Sequence, residues 1–213
     1  MNTEPVVRWL GRVAYQPTWQ AMMDFTAART AETADELWVC EHPPVYTLGQ
    51  AGKPEHLLFD IGIPLIRIDR GGQITYHGPG QVVIYLLLDL ARRRLKVREL
   101  VWRIEQALID LLAEHAIAAT RLSGAPGVYI AQGEGEGDSV AKIGALGLRV
   151  RKGGCYHGVS LNVDMDLSPF AAINPCGLAG MAVTQTRDLG MALSSTEVAE
   201  SLVCHLNRQL ERA

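Results

Sequence analysis

A mixed β-sheet flanked by helices, an α/β fold, is what this sequence predicts, and three observations predict it. Residues 81–88 are apolar at nearly every position, which fits a central strand covered on both faces. Leu100, Val101, Ile104, Leu108, Leu111 and Leu112 form one helical stripe within residues 97–116, with Arg103, Glu105 and Asp110 outside it. Strand-like and helix-like stretches mix without the regular alternation of a βαβ array.

The first element is a helix over residues 16–35: Pro17 suits a first turn, and Trp19, Met22, Met23 and Ala27 space a buried stripe. Short strands follow at 37–40 and 45–48, on either side of the Pro43-Pro44 break. A strand at 65–68 runs into Gly71-Gly72, and the central strand 81–88 comes next. Beyond the 97–116 helix lie three strand-like stretches, 127–131, 139–150 and 155–163. The segment 132–138 between the first two alternates glycine with acid and reads as a flexible hairpin loop without a role of its own. A helix over 197–210 closes the chain. No repeat and no Pro- or Ser-rich linker divides it, so 1–213 reads as one domain.

Composition excludes several classes. The 213 residues are 48% hydrophobic and 20% charged, enough for a core without staples and too apolar for disorder. A net charge of -3 argues against a nucleic-acid footprint. The apolar run 82–88 is stopped by Asp89, far short of the roughly 20 residues that cross a bilayer. Cys40, Cys155, Cys176 and Cys204 are scattered with no CxxC pair, and the N-terminus has an early acid and no leader pattern. Reduced thiols in a soluble cytoplasmic protein are the expectation.

Three constellations carry chemistry. Arg70, Gly71, Gly72, Gln73, Ile74, Thr75, Tyr76 and His77, followed by Gly78-Pro79-Gly80-Gln81, set four glycines and several polar groups between two strands. Glycines there let backbone approach a ligand closely, while a bare hairpin turn is the competing reading. No phosphate-binding GxGxxG or GxxxxGK[ST] pattern occurs. In the strand 139–150, strict alternation puts Lys142 on one face with Val140, Gly144, Leu146, Leu148 and Val150. A lysine in that apolar row is either a base with a depressed pKa or a side chain snorkelling to solvent. The same alternation places Cys155, His157, Val159 and Leu161 on one face of the next strand.

The third constellation is Asn174-Pro175-Cys176-Gly177, which sets a cysteine in a turn and offers the Gly177 N–H as an oxyanion donor. A nucleophilic thiol needs a nearby cation, which Lys142 or His157 could supply. Cys40 and Cys204 read as small buried hydrophobes. A metal site from His77, Cys155, His157 and Cys176 matches no zinc spacing, so no metal is expected.

These segments in this order, with Pro43 to Gly49, Lys142 to Gly147, His157 to Asn162 and Asn174 to Leu178, resemble the octanoyltransferase family of lipoate biosynthesis. The resemblance implies the catalytic domain shared with biotin and lipoate ligases. It implies transfer of an octanoyl group from octanoyl-acyl carrier protein to a lysine, with no cofactor. The acceptors would be lipoyl domains of 2-oxoacid dehydrogenase complexes and the glycine cleavage H protein, and neither nucleic acid nor membrane would be a partner. Cys176 would carry the acyl thioester and Lys142 would lower its pKa. Substrate contacts would fall at residues 70–77, at Ala145, Leu146 and Gly147, and at Gly158, Val159 and Ser160. The carrier is acidic, so the basic runs 92–94 and 149–152 are candidate docking residues.

Overall fold

The computed structural model describes residues 4–132, 139–177 and 179–211, with the backbone alone at Cys176; the 133–138 loop lies outside the described residues. The chain runs β1 (Val6–Arg12), α1 (Tyr15–Ala28), β2 (Glu36–Glu41), β3 (Val45–Leu48), β4 (Leu65–Arg67), β5 (Ile74–His77) and β6 (Gln81–Asp89). It continues through α2 (Leu90–Arg93), α3 (Val97–Glu114), β7 (Ala119–Leu122), β8 (Ala125–Ala131), β9 (Val140–Arg151), β10 (Gly154–Asn162), β11 (Ala182–Val183) and α4 (Ser195–Glu211).

The main sheet is mixed, in the order β1-β2-β6-β10-β9-β8-β7, with β11 pairing β9; β3 forms a second sheet with β4 and β5. Among the described residues, only β1 with β2 and β11 with β9 run parallel in the main sheet. Alternation along β2 and β6 sorts the two layers. Leu37, Val39, Ile84 and Leu86 face α3 and α4, packing on Leu100, Ile104, Leu108, Leu202 and Leu206. Trp38, Cys40, Val83, Tyr85 and Leu87 face α1 and pack on Tyr15 and Met22. The small sheet closes over a third cluster of Tyr46, Ile74, Tyr76, Phe170 and Ile173.

The mixed sheet between helices is the expected class, but three local expectations fail. The first helix ends at Ala28, not at 35, because a Thr30–Thr33 turn pairs backbone and hydroxyls locally. There Arg29, with Arg92 and Arg93, converges on the buried Asp35. The second failure is β9. Tyr129 pairs Lys142 while Val128 pairs Gly144, so β9 holds one extra residue at Ile143, a bulge. The extra residue shifts the alternation: Ile143, Leu146 and Leu148 pack toward the helices, and Lys142 falls on the other face with Ala145 and Gly147. The third failure is His157. Its φ of 63° turns the ring away from Cys155, Val159 and Leu161 and onto Tyr156, on the α1 side. Strands β1, β5, β7 and β11 are additions: β1, β7 and β11 are short or half-exposed, and β5 lies inside the 70–81 segment read as lying between two strands.

Candidate active site

A pocket opens on the α1 side of the main sheet. Its floor is Val83 and Tyr85 of β6, Gly158, Val159 and Ser160 of β10, and Ala145, Leu146 and Gly147 of β9; Arg70, Gly72, Gln73, Ile74 and Thr75 wall it, with Tyr15, His77 and His157. Most of the substrate residues expected from sequence therefore meet in one place. Tyr76 does not: its ring turns to the other face of β5, edge-on to Phe170. Gly71 lines a neighbouring groove instead.

Arg70 organises the wall. Its guanidinium donates to the carbonyls of Thr47, Gly71 and Gln73 and to the Thr47 hydroxyl, folding the 70–73 loop over the pocket. On the floor, an alanine Cβ at Gly158 would overlap the Ile84 carbonyl of the neighbouring strand, so only glycine fits there.

The pocket also holds neutral histidines. His77 Nδ1 lies 2.7 Å from Gln81 Oε1, and Gln81 passes the contact on to Asn162. His77 therefore donates from Nδ1 and keeps Nε2 bare; burial, then the neighbouring His42, pushes its pKa down to about 3. His42 is likewise lowered by burial, with Nδ1 on the Val13 carbonyl and Nε2 on the Tyr85 hydroxyl. Asp69 receives Trp19, Tyr156 and His157. Burial raises its pKa, but these hydrogen bonds outweigh it and hold the carboxylate ionised well below the usual range. Burial lowers His157 in turn, and its Nδ1 has no partner among the described residues.

Lys142 is 4% exposed, which rules out snorkelling. Its ammonium donates to the Pro126 carbonyl at 3.0 Å and sits 5.1 Å from the Tyr129 ring centre. It lines a small cavity with Thr75, Gln81, Asn162 and Pro175, and Thr75 and Ala145 also line the main pocket. Lys142, the residue before Cys176 and the pocket are thus contiguous.

The Cys176 side chain lies outside the described residues; its backbone belongs to a 3₁₀ turn, Pro175–Gly177. The Gly177 N–H is already spent on the Asn174 carbonyl at 2.9 Å, which corrects its expected role as a free oxyanion donor. The turn is anchored from a segment the sequence did not flag. Asn174 N–H donates to the His56 carbonyl, and Leu57 bridges to Ile173. An ideal Cβ at Gly177 would lie 3.2 Å from His56 Nε2 and 3.3 Å from Gln73 Cγ, and His56 Nδ1 and Gln73 Oε1 are buried without partners among the described residues. A lone histidine twelve residues after the Pro43-Pro44 break carries no pattern that could have marked it.

The remaining cysteines separate cleanly. Cys40 and Cys155 are buried, and burial pushes both thiols up to about 12; Cys155 donates to the Leu86 carbonyl on the helix face, away from His157. Cys204 is exposed on α4, not buried as expected. No cluster of three or more metal-ligating side chains occurs among the described residues. No described helix is long and apolar enough to cross a membrane.

Residues 15–207 match the model of the lipoyl protein ligase A/B catalytic domain. An octanoyltransferase of Dechloromonas aromatica (strain RCB) is 68% identical over 208 residues, 98% of either chain. Among solved structures, a bipartite lipoate protein ligase from Thermoplasma acidophilum superposes with a TM-score of 0.74 at 17% identity, over 98% of this chain and 84% of that one. A biotin protein ligase from Aquifex aeolicus gives 0.57 at 13% identity, over 97% and 70%. These two likenesses are of fold alone.

Proposed function

The chain belongs to the octanoyltransferase family within the lipoyl protein ligase A/B catalytic domain, and from that premise we propose that it is a cytoplasmic enzyme working as one catalytic domain. It moves an octanoyl group from octanoyl-acyl carrier protein to the lysine of a lipoyl domain, in 2-oxoacid dehydrogenase complexes or the glycine cleavage H protein. The observation that carries this reading is the contiguity of Lys142, the Pro175–Gly177 turn and a mainly apolar pocket through Thr75 and Ala145.

The chemistry runs in two balanced steps. The Cys176 thiolate attacks the donor thioester carbonyl; a C–S bond forms to the enzyme, the one to the carrier breaks, and the carrier leaves as its thiol with the proton of the Lys142 ammonium, which leaves Lys142 neutral. The acceptor amine then attacks the enzyme thioester, its C–N bond forms, the C–S bond to Cys176 breaks, and the amine proton passes to Lys142. The ammonium of Lys142 pairs with the thiolate in the first step, and its buried seat against the Pro126 carbonyl and Tyr129 fixes where that charge sits. The pocket backbone of residues 145–147 and 158–160, with the 70–75 wall, holds the octanoyl chain.

Intact mass spectrometry after incubation with octanoyl carrier protein tests this. The chain should gain one octanoyl group without ATP, Cys176→Ala should gain none, and Lys142→Arg should fail to complete transfer because guanidinium cannot accept the amine proton. An absolute ATP requirement, or an adduct on Cys176→Ala, would replace this reading with that of an adenylating ligase or a different nucleophile.

A further inference from the structure

Strand β8 leaves β9 at Gly144, so the edge of β9 beyond that point has no strand partner among the described residues; only Gly71 N–H reaches it, at the Leu148 carbonyl, 3.0 Å. Beside this open edge lies an apolar groove. Leu146, Leu148, Val97, Val101 and Pro126 line it, and Gly72, Gln73, Leu146 and Gly147 are shared with the acyl pocket. The groove therefore adjoins the acyl pocket at the free edge of β9.

Its outer rim is basic, and the basic residues come from two distant runs. Leu90 N–H donates to the Gly153 carbonyl at 2.9 Å, which brings the start of α2 against the β9–β10 turn. Arg94, Lys96 and Arg98 from one side and Arg151 and Lys152 from the other are all exposed, and none makes an ion pair among the described residues. Arg92 and Arg93 of the same run are turned to Asp35 and drop out of the expected docking set. The nearby Glu99 is answered by Arg103 at 2.6 Å. A chain with a net charge of -3 thus keeps an unneutralised cationic rim at the mouth of one groove.

We propose that this rim and groove dock the acyl donor: an acidic carrier whose thioester hangs on an extended arm joined through a phosphodiester. The inference rests on the transfer reading above. The arm brings an anion for Arg94, Lys96, Arg98, Arg151 and Lys152, a slender body for the apolar groove, and amides for the open β9 edge.

The triple variant Lys96→Glu/Arg98→Glu/Arg151→Glu tests the assignment by steady-state kinetics on three substrates. KM for octanoyl carrier protein should rise by about tenfold or more, with kcat within about twofold. Acylation by octanoyl-pantetheine, which lacks the phosphate and the protein, should be unchanged, as should KM for the lipoyl-domain acceptor. An unchanged carrier KM overturns the docking surface, as does a parallel loss with octanoyl-pantetheine, and a rise confined to the acceptor assigns the rim to the wrong partner. Wild-type protein that neither thioester acylates sinks the transfer reading itself, whereas an acylated wild type with an indifferent triple variant sinks the docking alone.

Discussion

Lys142 is held by a residue with no side chain. Gly127 has φ 142°, a conformation essentially reserved for glycine, and an ideal Cβ there would lie 2.6 Å from Lys142 Cε. Its N–H is fixed by the buried Glu105 carboxylate at 2.9 Å, so the backbone cannot step aside. Gly127→Ala should therefore lower octanoyl transfer by about tenfold or more, by displacing the ammonium, on top of a strain cost of about 1–3 kcal/mol. Gly190→Ala is the control, with φ 85° and nothing near its Cβ: it should cost stability alone. Equal transfer rates in the two variants would sink the claim. The dense 70–77 motif, Lys142 and the Pro-Cys-Gly turn were legible because they break local pattern. Gly127 and His56 were not, since a glycine opening a strand and a single histidine look ordinary until another element is packed against them.

Elements decide which side of the sheet each motif faces, and alternation carries that information only while strands stay regular. The Ile143 bulge and the left-handed His157 each reverse a face, and neither leaves a sequence mark because no glycine or proline stands at either position. Reversed, they put Lys142 and His157 on the pocket side of the sheet. Two pocket glycines report how differently neighbouring elements tolerate intrusion. At Gly158 a methyl group meets the Ile84 carbonyl of a central strand, whereas at Gly147 it meets the Gly71 carbonyl at 2.9 Å and Arg70 Cδ at 3.1 Å on a surface loop. Gly158→Ala should sharply lower the melting temperature or abolish soluble folding, because β6 and β10 cannot part without breaking the core. Gly147→Ala should fold and raise KM for the octanoyl donor as the loop is pushed over the pocket. Melting curves and donor KM measured on both variants check the contrast, and a stable Gly158→Ala would refute it.

Across the whole molecule, the pocket lies between two sheets and one helix that meet far apart in sequence, and it is lined with imidazoles kept neutral by burial. This fold-level arrangement couples stability to pH. His77, His42 and His157 all have pKa values lowered from the ordinary histidine range, His77 to about 3. Below pH of about 6.5 the unfolded chain takes up protons on these rings while the folded chain does not, so acid favours unfolding. The stabilisation is complete above the unfolded value and is lost progressively as pH falls toward the folded one. His77 alone should cost about 1.4 kcal/mol by pH of about 5.5, with His42 and His157 adding in the same direction. Asp69 has the same sign but acts only where carboxylates titrate, so it cannot account for a loss that begins near pH 6.5. Urea unfolding at a series of pH values between 7.5 and 5 should therefore show stability already falling by about pH 6. A flat profile down to the carboxylate range would mean that the pocket admits protons in the folded state, and that its histidines are not the sealed, neutral wall their packing implies.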